Sequence, residues 1–438
     1  MAHAICWGKL MRKLVGLAVC IAAFAAPAYA QQSSATWQRV IDVPGKRGEI
    51  NNMVVASNGD IIVSGFIQRT GREVQGSSND AWLARYSSDG TQIWTRTFGG
   101  EQRDEISAMK LDRDGSIVVT GPTNFRFDGK LRSDSFVARY DGAGNLIWNT
   151  IVRDDQRRIG LFNLAIAADG SIIVSGEDAL IGVGGTRALV VRLDSEGAST
   201  WQFNPPDFVD GATPTVGGWI FSSATGKRYV NESARHGRIE NGQVELFVVQ
   251  NTVEAIEPAR CFWLTLTTGQ GADKPCSPSS QMSIFPMKTQ PAYATARLHL
   301  YQFNDPLVRK LDAAGAVIWE RTFPTEGGDG FYAVAATPDG GVVGAGYVLS
   351  GTKVDMHNWH GLLMKIDAEG NEVWRKALGG SRRDALNCVA VLPDGSIIVA
   401  GYTGSQGGAE DWNPWLMRLN SSGELEGEAL KELQSRQK

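Results

Sequence analysis

Short hydrophobic runs bounded by turn residues recur along most of the chain, and they predict β-strands. The runs are rich in Val and Ile, as in residues 117–120 and 397–400. Asn-Gly or Asp-Gly separates many of them, which is the strongest short-range signal for a β-hairpin. These dipeptides occupy one repeated slot at Asn58-Gly59, Asp114-Gly115, Asp169-Gly170, Asp339-Gly340 and Asp394-Gly395. The pattern therefore predicts a chain built largely from hairpins.

A second hairpin follows in most repeats and ends in the pattern Gly-x-x-x-Trp. Five segments share this pattern, with the pairs Gly90/Trp94, Gly144/Trp148, Gly197/Trp201, Gly315/Trp319 and Gly370/Trp374. The two hairpins together give four short antiparallel strands per repeat, which is the size of one propeller blade.

The spacing of these tryptophans predicts the number of repeats. From Trp37 the intervals are 57, 54, 53, 118 and 55 residues. Because 118 is twice 59, we read two divergent blades over residues 202–306, one with a long insertion at 207–257. A single blade with an insertion there would give six blades instead of seven.

The two ends of the repeat region predict how the fold closes. The last repeat, through Trp415, lacks a Trp-containing outer strand, whereas the strand at Trp37 has no repeat of its own. Pairing the N-terminal strand into the last blade would remove the exposed sheet edges. We therefore predict an all-β fold, a single closed β-propeller of about seven four-stranded blades over residues 31–425. Residues 426–438 are expected to form a short C-terminal tail.

The repeats resemble those of bacterial β-propeller repeat proteins of the SBBP type. The two best-matching stretches are Trp94, Gly99-Gly100, Asp104, Asp114-Gly115 and Gly121, and Trp374, Gly379-Gly380, Asp384, Asp394-Gly395 and Gly401. The resemblance covers residues 37–201 and 307–425 and implies an exported or surface protein. The Gly-x-x-x-Trp hairpin is also similar to the docking motif of quinoprotein propellers. The Thr and the vicinal cysteine pair of that family are absent here, so we expect no cofactor.

The first thirty residues predict a signal peptide. Lys9, Arg12 and Lys13 precede an apolar run over residues 14–26, and Ala28-Tyr29-Ala30 supplies a cleavage site. Cleavage after Ala30 predicts a periplasmic or secreted protein. No later apolar run approaches the roughly 20 residues of a membrane span.

Composition and charge exclude several classes of protein. Apolar residues make up 42% and charged residues 21% of the chain, which excludes a disordered protein. Loss of the three basic residues of the signal peptide changes the net charge from −4 to −7. A nucleic-acid partner would require a basic patch instead. We expect a monomer that binds no nucleic acid and has no membrane span.

Three cysteines remain after the signal peptide. Cys261 and Cys276 lie at equal distances from Thr268-Gly269, which predicts a hairpin, and in an oxidising compartment a disulfide between them. Cys388 lies in an apolar strand and is expected to be a buried small hydrophobic residue.

Repeated charged positions have two interpretations each. Asp104, Asp329 and Asp384 precede the inner strand of their repeats, where they would either form an acidic rim that binds a ligand or cap their own turns. A basic residue recurs on the third strand, and we expect it to pair with acidic turns. Its members are Arg85, Arg139, Arg192, Lys310, Lys365 and Arg418.

Two successive repeats depart from the pattern just before the third strand. They carry Trp359-His360 and Trp412-Asn413 there. These residues would either stack on a sugar ring or a peptide side chain, or cover the ends of adjacent sheets.

One local group of residues has metal-ligand chemistry. It consists of Asp355, His357 and His360, and no third histidine lies nearby. We therefore predict no metal site, and keep these three residues as its only candidates.

The chain contains no nucleophile elbow, P-loop or His-Glu-x-x-His motif. We expect a non-catalytic exported propeller that acts as a binding module in the cell envelope, with a carbohydrate or an envelope protein as ligand. Two alternatives remain open. One is an envelope polysaccharide hydrolase or lyase with its site at the channel rim, and the other is a quinone- or metal-dependent oxidoreductase.

Overall fold

Nearly every regular element in the described part of the chain is a β-strand, as the sequence predicts. The computed structural model describes residues 35–43, 47–68, 79–100, 103–127, 130–180, 187–204, 221–222, 228–240, 243–252, 256–265, 267–268, 270–274, 283–285, 292–296, 305–311, 317–324, 329–349, 359–405 and 412–436. The predicted signal peptide lies outside the described residues. Within these ranges the strands form seven antiparallel sheets, numbered here in chain order.

The first three sheets have four strands each, and strand β1 (Trp37–Val40) precedes them. Sheet 1 contains β2 (Gly48–Val55), β3 (Ile61–Gln68), β4 (Asn79–Tyr86) and β5 (Gln92–Phe98). Sheet 2 contains β6 (Ala108–Leu111), β7 (Ile117–Phe127), β8 (Lys130–Tyr140) and β9 (Leu146–Val152). Sheet 3 contains β10 (Arg157–Ile166), β11 (Ile172–Leu180), β12 (Arg187–Leu193) and β13 (Ser199–Phe203).

Sheets 4 and 5 begin in the region that the sequence marks as divergent. Sheet 4 contains β14 (Phe221–Ser222), β15 (Arg228–Glu240), β16 (Gln243–Thr252), β17 (Ile256–Thr265) and β18 (Gly271–Lys274). Sheet 5 contains β19 (Ser283–Phe285), β20 (Ala292–Ala296), β21 (Leu307–Leu311) and β22 (Val317–Thr322). The predicted hairpin around Thr268 is confirmed as β17–β18, with Lys274 opposite Cys261. Cys276 lies outside the described residues, so the disulfide stays a prediction.

The last two sheets complete the strand pattern. Sheet 6 contains β23 (Gly330–Ala336), β24 (Val342–Leu349), β25 (Trp359–Ile366) and β26 (Glu372–Leu378). Sheet 7 contains β27 (Asp384–Val391), β28 (Ile397–Thr403), β29 (Asn413–Leu419) and β1. Strand β1 pairs antiparallel with β29, with Trp37 opposite Arg418. The N-terminal strand thus takes the outer place in the last sheet. Helix α1 (Gly427–Arg436) follows, and no helix among the described residues is long and apolar enough to cross a bilayer.

Neighbouring sheets share hydrophobic cores because both faces of the inner strands are buried. Ile62 and Leu83 of sheet 1, for example, pack with Val119 and Phe136 of sheet 2. Because both faces are buried, these strands appear in the sequence as continuous apolar runs. Cys388 is buried and free, as predicted, and burial raises the pKa of its thiol to about 12.

The repeat tryptophans hold successive sheets together. Their indole nitrogens donate to carbonyl oxygens in the outer turn of the next sheet, each at 3.1 Å: Trp37 to Ser88, Trp94 to Gly142, Trp148 to Ser195 and Trp319 to Ala368. The regularly spaced tryptophans therefore belong to the scaffold.

The repeated basic residues of the third strand also belong to the scaffold. Ion pairs with inner-turn aspartates are formed by Arg85 with Asp60, Arg139 with Asp114, Arg192 with Asp169, Lys365 with Asp339 and Arg418 with Asp394. The predicted pairing with acidic turns is confirmed at these five positions. At the sixth position Lys310 donates to the carbonyl oxygen of Ala368.

A close backbone approach recurs between the first and second strands of the sheets. Sheets 1, 3, 6 and 7 have a register shift in the first strand, typical of a β-bulge. In sheet 7, a Cβ atom added to Gly401 would lie 2.0 Å from the carbonyl oxygen of Ala385. The equivalent glycines, at 1.8 to 2.0 Å from a first-strand carbonyl oxygen, are Gly65, Gly121, Gly176 and Gly346. These pairings give a common register for comparing the residues that precede each first strand.

Candidate functional site

Two arginines lie over two tryptophans at the junctions of sheets 6, 7 and 1. Arg383 precedes β27, and its Cζ atom is 4.3 Å from the ring centroid of Trp359, the first residue of β25. Arg47 precedes β2, and its Cζ atom is 4.6 Å from the ring centroid of Trp412, just before β29. Each pair therefore joins one sheet to the next through a cation–π contact.

The two pairs occupy equivalent positions in the repeat. Arg47 and Arg383 each lie three residues before the residue that pairs with the close-approach glycine, Ile50 in β2 and Leu386 in β27. Trp359 and Trp412 likewise lie three residues before a third-strand residue, the one that pairs with the close-approach glycine of their own sheet. Repetition of the geometry at two neighbouring junctions shows that it is a feature of the fold and not a single chance contact.

Tyrosines add a second contact to each indole. Tyr347 lies 5.2 Å from Trp359 at 31°, and Tyr332 continues this stack at 5.3 Å from Tyr347. Tyr402 lies 6.4 Å from Trp412 at 52°. Both tryptophans are half-buried. Because each ring contacts an arginine and a tyrosine, it helps to orient the guanidinium group. A ligand-stacking role for Trp359 and Trp412 stays a prediction.

Glu49 lies beside these pairs, two residues after Arg47 on β2. Burial raises the pKa of its carboxyl group to about 7, and the negative charge of Glu105 acts in the same direction. The charges of Arg383 and Arg103 and the indole of Trp412 act in the opposite direction. The side chain keeps partial access to solvent. Glu49 therefore changes its protonation near neutral pH, next to the two arginines.

The arginines around Glu49 differ in whether they already have an acidic partner. Arg103 forms an ion pair with Glu105 at 2.7 Å. Arg47 and Arg383 form no ion pair within the part of the chain that the structure describes, and Nε of Arg383 is buried without an acceptor. We call the set Arg47, Glu49, Trp359, Arg383 and Trp412 the Arg–Trp cluster. It presents two guanidinium groups that are fixed in position and free to take an acceptor from a ligand.

The predicted acidic rim has a different environment. Asp384 is fully buried, and its carboxylate accepts from Gly380 N at 3.0 Å, from the hydroxyls of Thr403 at 2.5 Å and Ser405 at 2.6 Å, and from Ser405 N at 3.3 Å. Burial raises the pKa of Asp384, and these hydrogen bonds oppose the shift.

Asp104, in sheet 2, has the same arrangement. It is buried and accepts from Gly100 N at 2.7 Å and from the hydroxyl of Thr123 at 2.5 Å. Carboxylates bonded in this way hold the loop that precedes their own sheet. A binding role for Asp104, Asp329 and Asp384 stays a prediction.

Asp329 is the exception among the three. Its Oδ1 accepts from Leu349 N at 2.8 Å, whereas Oδ2 is buried with no hydrogen-bond partner among the described residues. Burial raises the pKa of Asp329 from 3.8 to about 6, and the neighbouring charge of Asp305 adds to the effect. Because the folded state holds this proton more tightly than the unfolded state, the stability from protonation is complete below about pH 4 and is lost as the pH rises through 6.

Replacement of Asp329 by Asn should flatten this pH dependence. The amide oxygen can still accept from Leu349 N, and no charge is buried at high pH. We expect D329N to be more stable than the natural protein by about 1 kcal/mol at pH 8, since an unpartnered amide N–H offsets part of the gain. Urea unfolding at pH 4.5, 6 and 8 measures it. Parallel stability curves for the two proteins would contradict the assignment.

The remaining predicted residues fall in and around the cluster. His360 is half-buried beside Trp359, and Asn413 is buried opposite Thr403. Asp355 and His357 lie outside the described residues. Among those that are described, no group of three or more potential ligands is placed to hold a metal ion. Binding roles for His360 and Asn413 stay predictions.

Sequence reasoning missed the two free arginines and Glu49. The signal was a departure from the repeat: the position of Glu49 is Glu105 in sheet 2, but the equivalent positions in sheets 3, 6 and 7 are the small residues Gly160, Gly330 and Ala385. A large acidic residue where the repeat has small ones points to a local role.

Comparison with known proteins gives one family match and several distant structural matches. Residues 392–426, across β28 and β29, match the family described as "Domain of unknown function (DUF5122) beta-propeller". The "Regulatory protein FlaEY" of Caulobacter vibrioides is 28% identical over 125 residues, which cover 26% of this chain and 13% of that protein. The family match supports a β-propeller family for this chain.

Solved structures match over most of their length at low identity. The polysaccharide lyase Uly1 has a TM-score of 0.47 and 11% identity, with 90% of this chain and 94% of that chain covered. The β-propeller domain of the Trilobed protease from Pyrococcus furiosus has a TM-score of 0.45 and 9% identity, with 85% and 94% covered. At these scores we derive no function from either protein.

Proposed function

We propose that this protein is a non-catalytic binding module of the cell envelope, exported after cleavage at Ala30, and that its ligand docks on the Arg–Trp cluster. The observation that carries the proposal is the pair of fixed arginines, Arg47 and Arg383, without acidic partners among the described residues. Preorganised guanidinium groups bind acceptors with little further loss of conformational freedom.

The scaffold of the proposal is one closed monomeric propeller of the SBBP type with seven blades, one for each sheet. Pairing of β1 with β29 and the tryptophan hydrogen bonds between successive sheets support it. Closure would bring sheets 6, 7 and 1 side by side, so that the two arginine–tryptophan pairs from opposite ends of the chain form one surface.

An enzyme that cleaves polysaccharide is the second candidate, and one observation favours it. Glu49 has a pKa of about 7 and a second carboxylate, Glu105, close enough to influence it. Acid–base catalysis is most efficient when the pKa lies near the working pH. Catalysis would therefore be sought at Glu49, because Asp104 and Asp384 are bonded to their own loops.

Changing both free arginines to methionine tests the binding proposal. The double variant R47M/R383M keeps the packing on the indoles but removes the guanidinium groups, so we expect binding on glycan and peptide arrays to fall at least about 100-fold, to background. R321M is the matched control, because Arg321 lies over Trp319 on the outer strand of sheet 5. Equal binding by R47M/R383M, or no binding by the natural protein to either array, would overturn the proposal.

A further inference from the structure

We infer that the ligand of the Arg–Trp cluster is an acidic polysaccharide, whose uronate carboxylates are bound by Arg47 and Arg383. This inference rests on the proposed function and adds the chemical class of the ligand. It starts from charge: within the described residues Arg47 and Arg383 form no ion pair, so each can accept an anionic group from a ligand. Guanidinium groups match carboxylates in a planar, two-bonded geometry.

The number of unpaired arginines limits how many anionic groups of a ligand the cluster can bind. Arg103 and Arg158 occupy the equivalent positions in sheets 2 and 3. Arg103 is already paired with Glu105, and Arg158 is exposed to solvent. Among the described residues of this set, the guanidinium groups that lie over an indole without an ion pair are those of Arg383 and Arg47, at the junctions of sheets 6 with 7 and 7 with 1. A polymer that repeats one carboxylate per unit can present one carboxylate to each of these two groups.

The surroundings favour a polyhydroxylated ligand over an acidic peptide. Peptides usually bind by adding a strand to a sheet edge or by inserting apolar side chains into pockets. The exposed large hydrophobic residues of the described chain lie outside the cluster: Ile93, Leu146, Ile147, Phe162, Val317, Ile318, Val373 and Leu430. The cluster instead offers charged groups, which can exchange hydrogen bonds with hydroxyls.

Glu49 makes the binding of an anion dependent on pH. The groups near it are Arg103 and Glu105, before β6, and Arg383 and Trp412, before β27 and β29. The phenol of Tyr402 in β28 also interacts with its charge. When Glu49 is ionised it repels a carboxylate, and when it is protonated it can donate a hydrogen bond to one. Binding should therefore be strong at pH 6 and weaken as the pH rises through about 7.

Calorimetric titration with defined oligosaccharides tests the inference. The probes are oligogalacturonate, oligoalginate, methyl-esterified oligogalacturonate and poly-glutamate peptide, each at pH 6 and pH 8. We expect at least one of the two uronate oligomers to bind, the ester and the peptide not to bind, and affinity to fall about tenfold from pH 6 to pH 8 because the protonated fraction of Glu49 falls by that factor. E49Q should bind at both pH values as the natural protein does at pH 6.

The possible failures separate the ligand class from the proposed function. Binding of neither uronate, or equal binding of the ester, would overturn the acidic-polysaccharide assignment, as would a preference for poly-glutamate. If such a ligand still requires Arg47 and Arg383, the proposed function survives. If a uronate binds equally well to R47M/R383M, both proposals fail. Release of new reducing ends during the titration would contradict a purely binding role and support the enzyme.

Discussion

Replacement of Gly401 by alanine is expected to abolish folding of sheet 7. The added Cβ atom would lie 2.0 Å from the carbonyl oxygen of Ala385 and 2.9 Å from its carbon, both backbone atoms of the paired strand. The two strands cannot separate without breaking their hydrogen bonds, and Leu386 and Val399, on these strands, are part of the same buried core. We expect a loss of more than about 4 kcal/mol, recovery of the protein in the insoluble fraction, and no cooperative transition by circular dichroism.

Gly142→Ala is the matched control for this change. Gly142 lies in an outer turn of sheet 2, where an added Cβ atom would lie 3.3 Å from Nη1 of Arg85, the end of a flexible side chain. We expect this variant to fold and to unfold within about 0.5 kcal/mol of the natural protein. A soluble, cooperatively unfolding G401A protein would show that β27 can move away from β28, and would contradict the rigid close approach inferred for all five sheets.

Elements built from local signals were predictable from the sequence. Asp-Gly and Gly-x-x-x-Trp act within one hairpin, so the strands that they join, such as β27 and β28, could be placed without knowledge of their neighbours. The outer place of β1 followed from a missing Trp strand in the last repeat. Hairpin β17–β18 was also predicted, but its register pairs Cys261 with Lys274, because turn length fixes the pairing and equal spacing of cysteines does not.

The candidate site was less predictable because its contacts cross between sheets. Trp359 and Trp412 stand out in the sequence as departures from the repeat, and their ligand-stacking role stays a prediction. No local pattern shows that Arg383 and Arg47 lie over these rings. Arg47 and Trp412 come from opposite ends of the chain and meet beside the paired strands β1 and β29. A site whose side chains come from different sheets can be derived only once the order of the sheets is known.

Asp384→Ala is expected to separate the two interpretations of the repeated aspartates. The carboxylate accepts hydrogen bonds from Gly380 N and from the hydroxyls of Thr403 and Ser405 while it is fully buried. Removal leaves these donors without their acceptor, so we expect the free energy of unfolding in urea to fall by about 3 kcal/mol at pH 7. D384N should lose less, because its amide oxygen can still accept from the hydroxyls.

Ligand titration of D384N completes this comparison. If Asp384 holds the loop before sheet 7, the folded fraction of D384N should bind the ligand of the Arg–Trp cluster within about twofold of the natural protein, since its contribution is to stability. If Asp384 instead belonged to an acidic rim that contacts the ligand, D384N would keep its stability and lose binding. Arg383 is the neighbouring residue in the chain, so R383M provides the opposite profile: near-natural stability with binding reduced about tenfold. Asp384 would then support the loop, and the adjacent Arg383 would recognise the ligand.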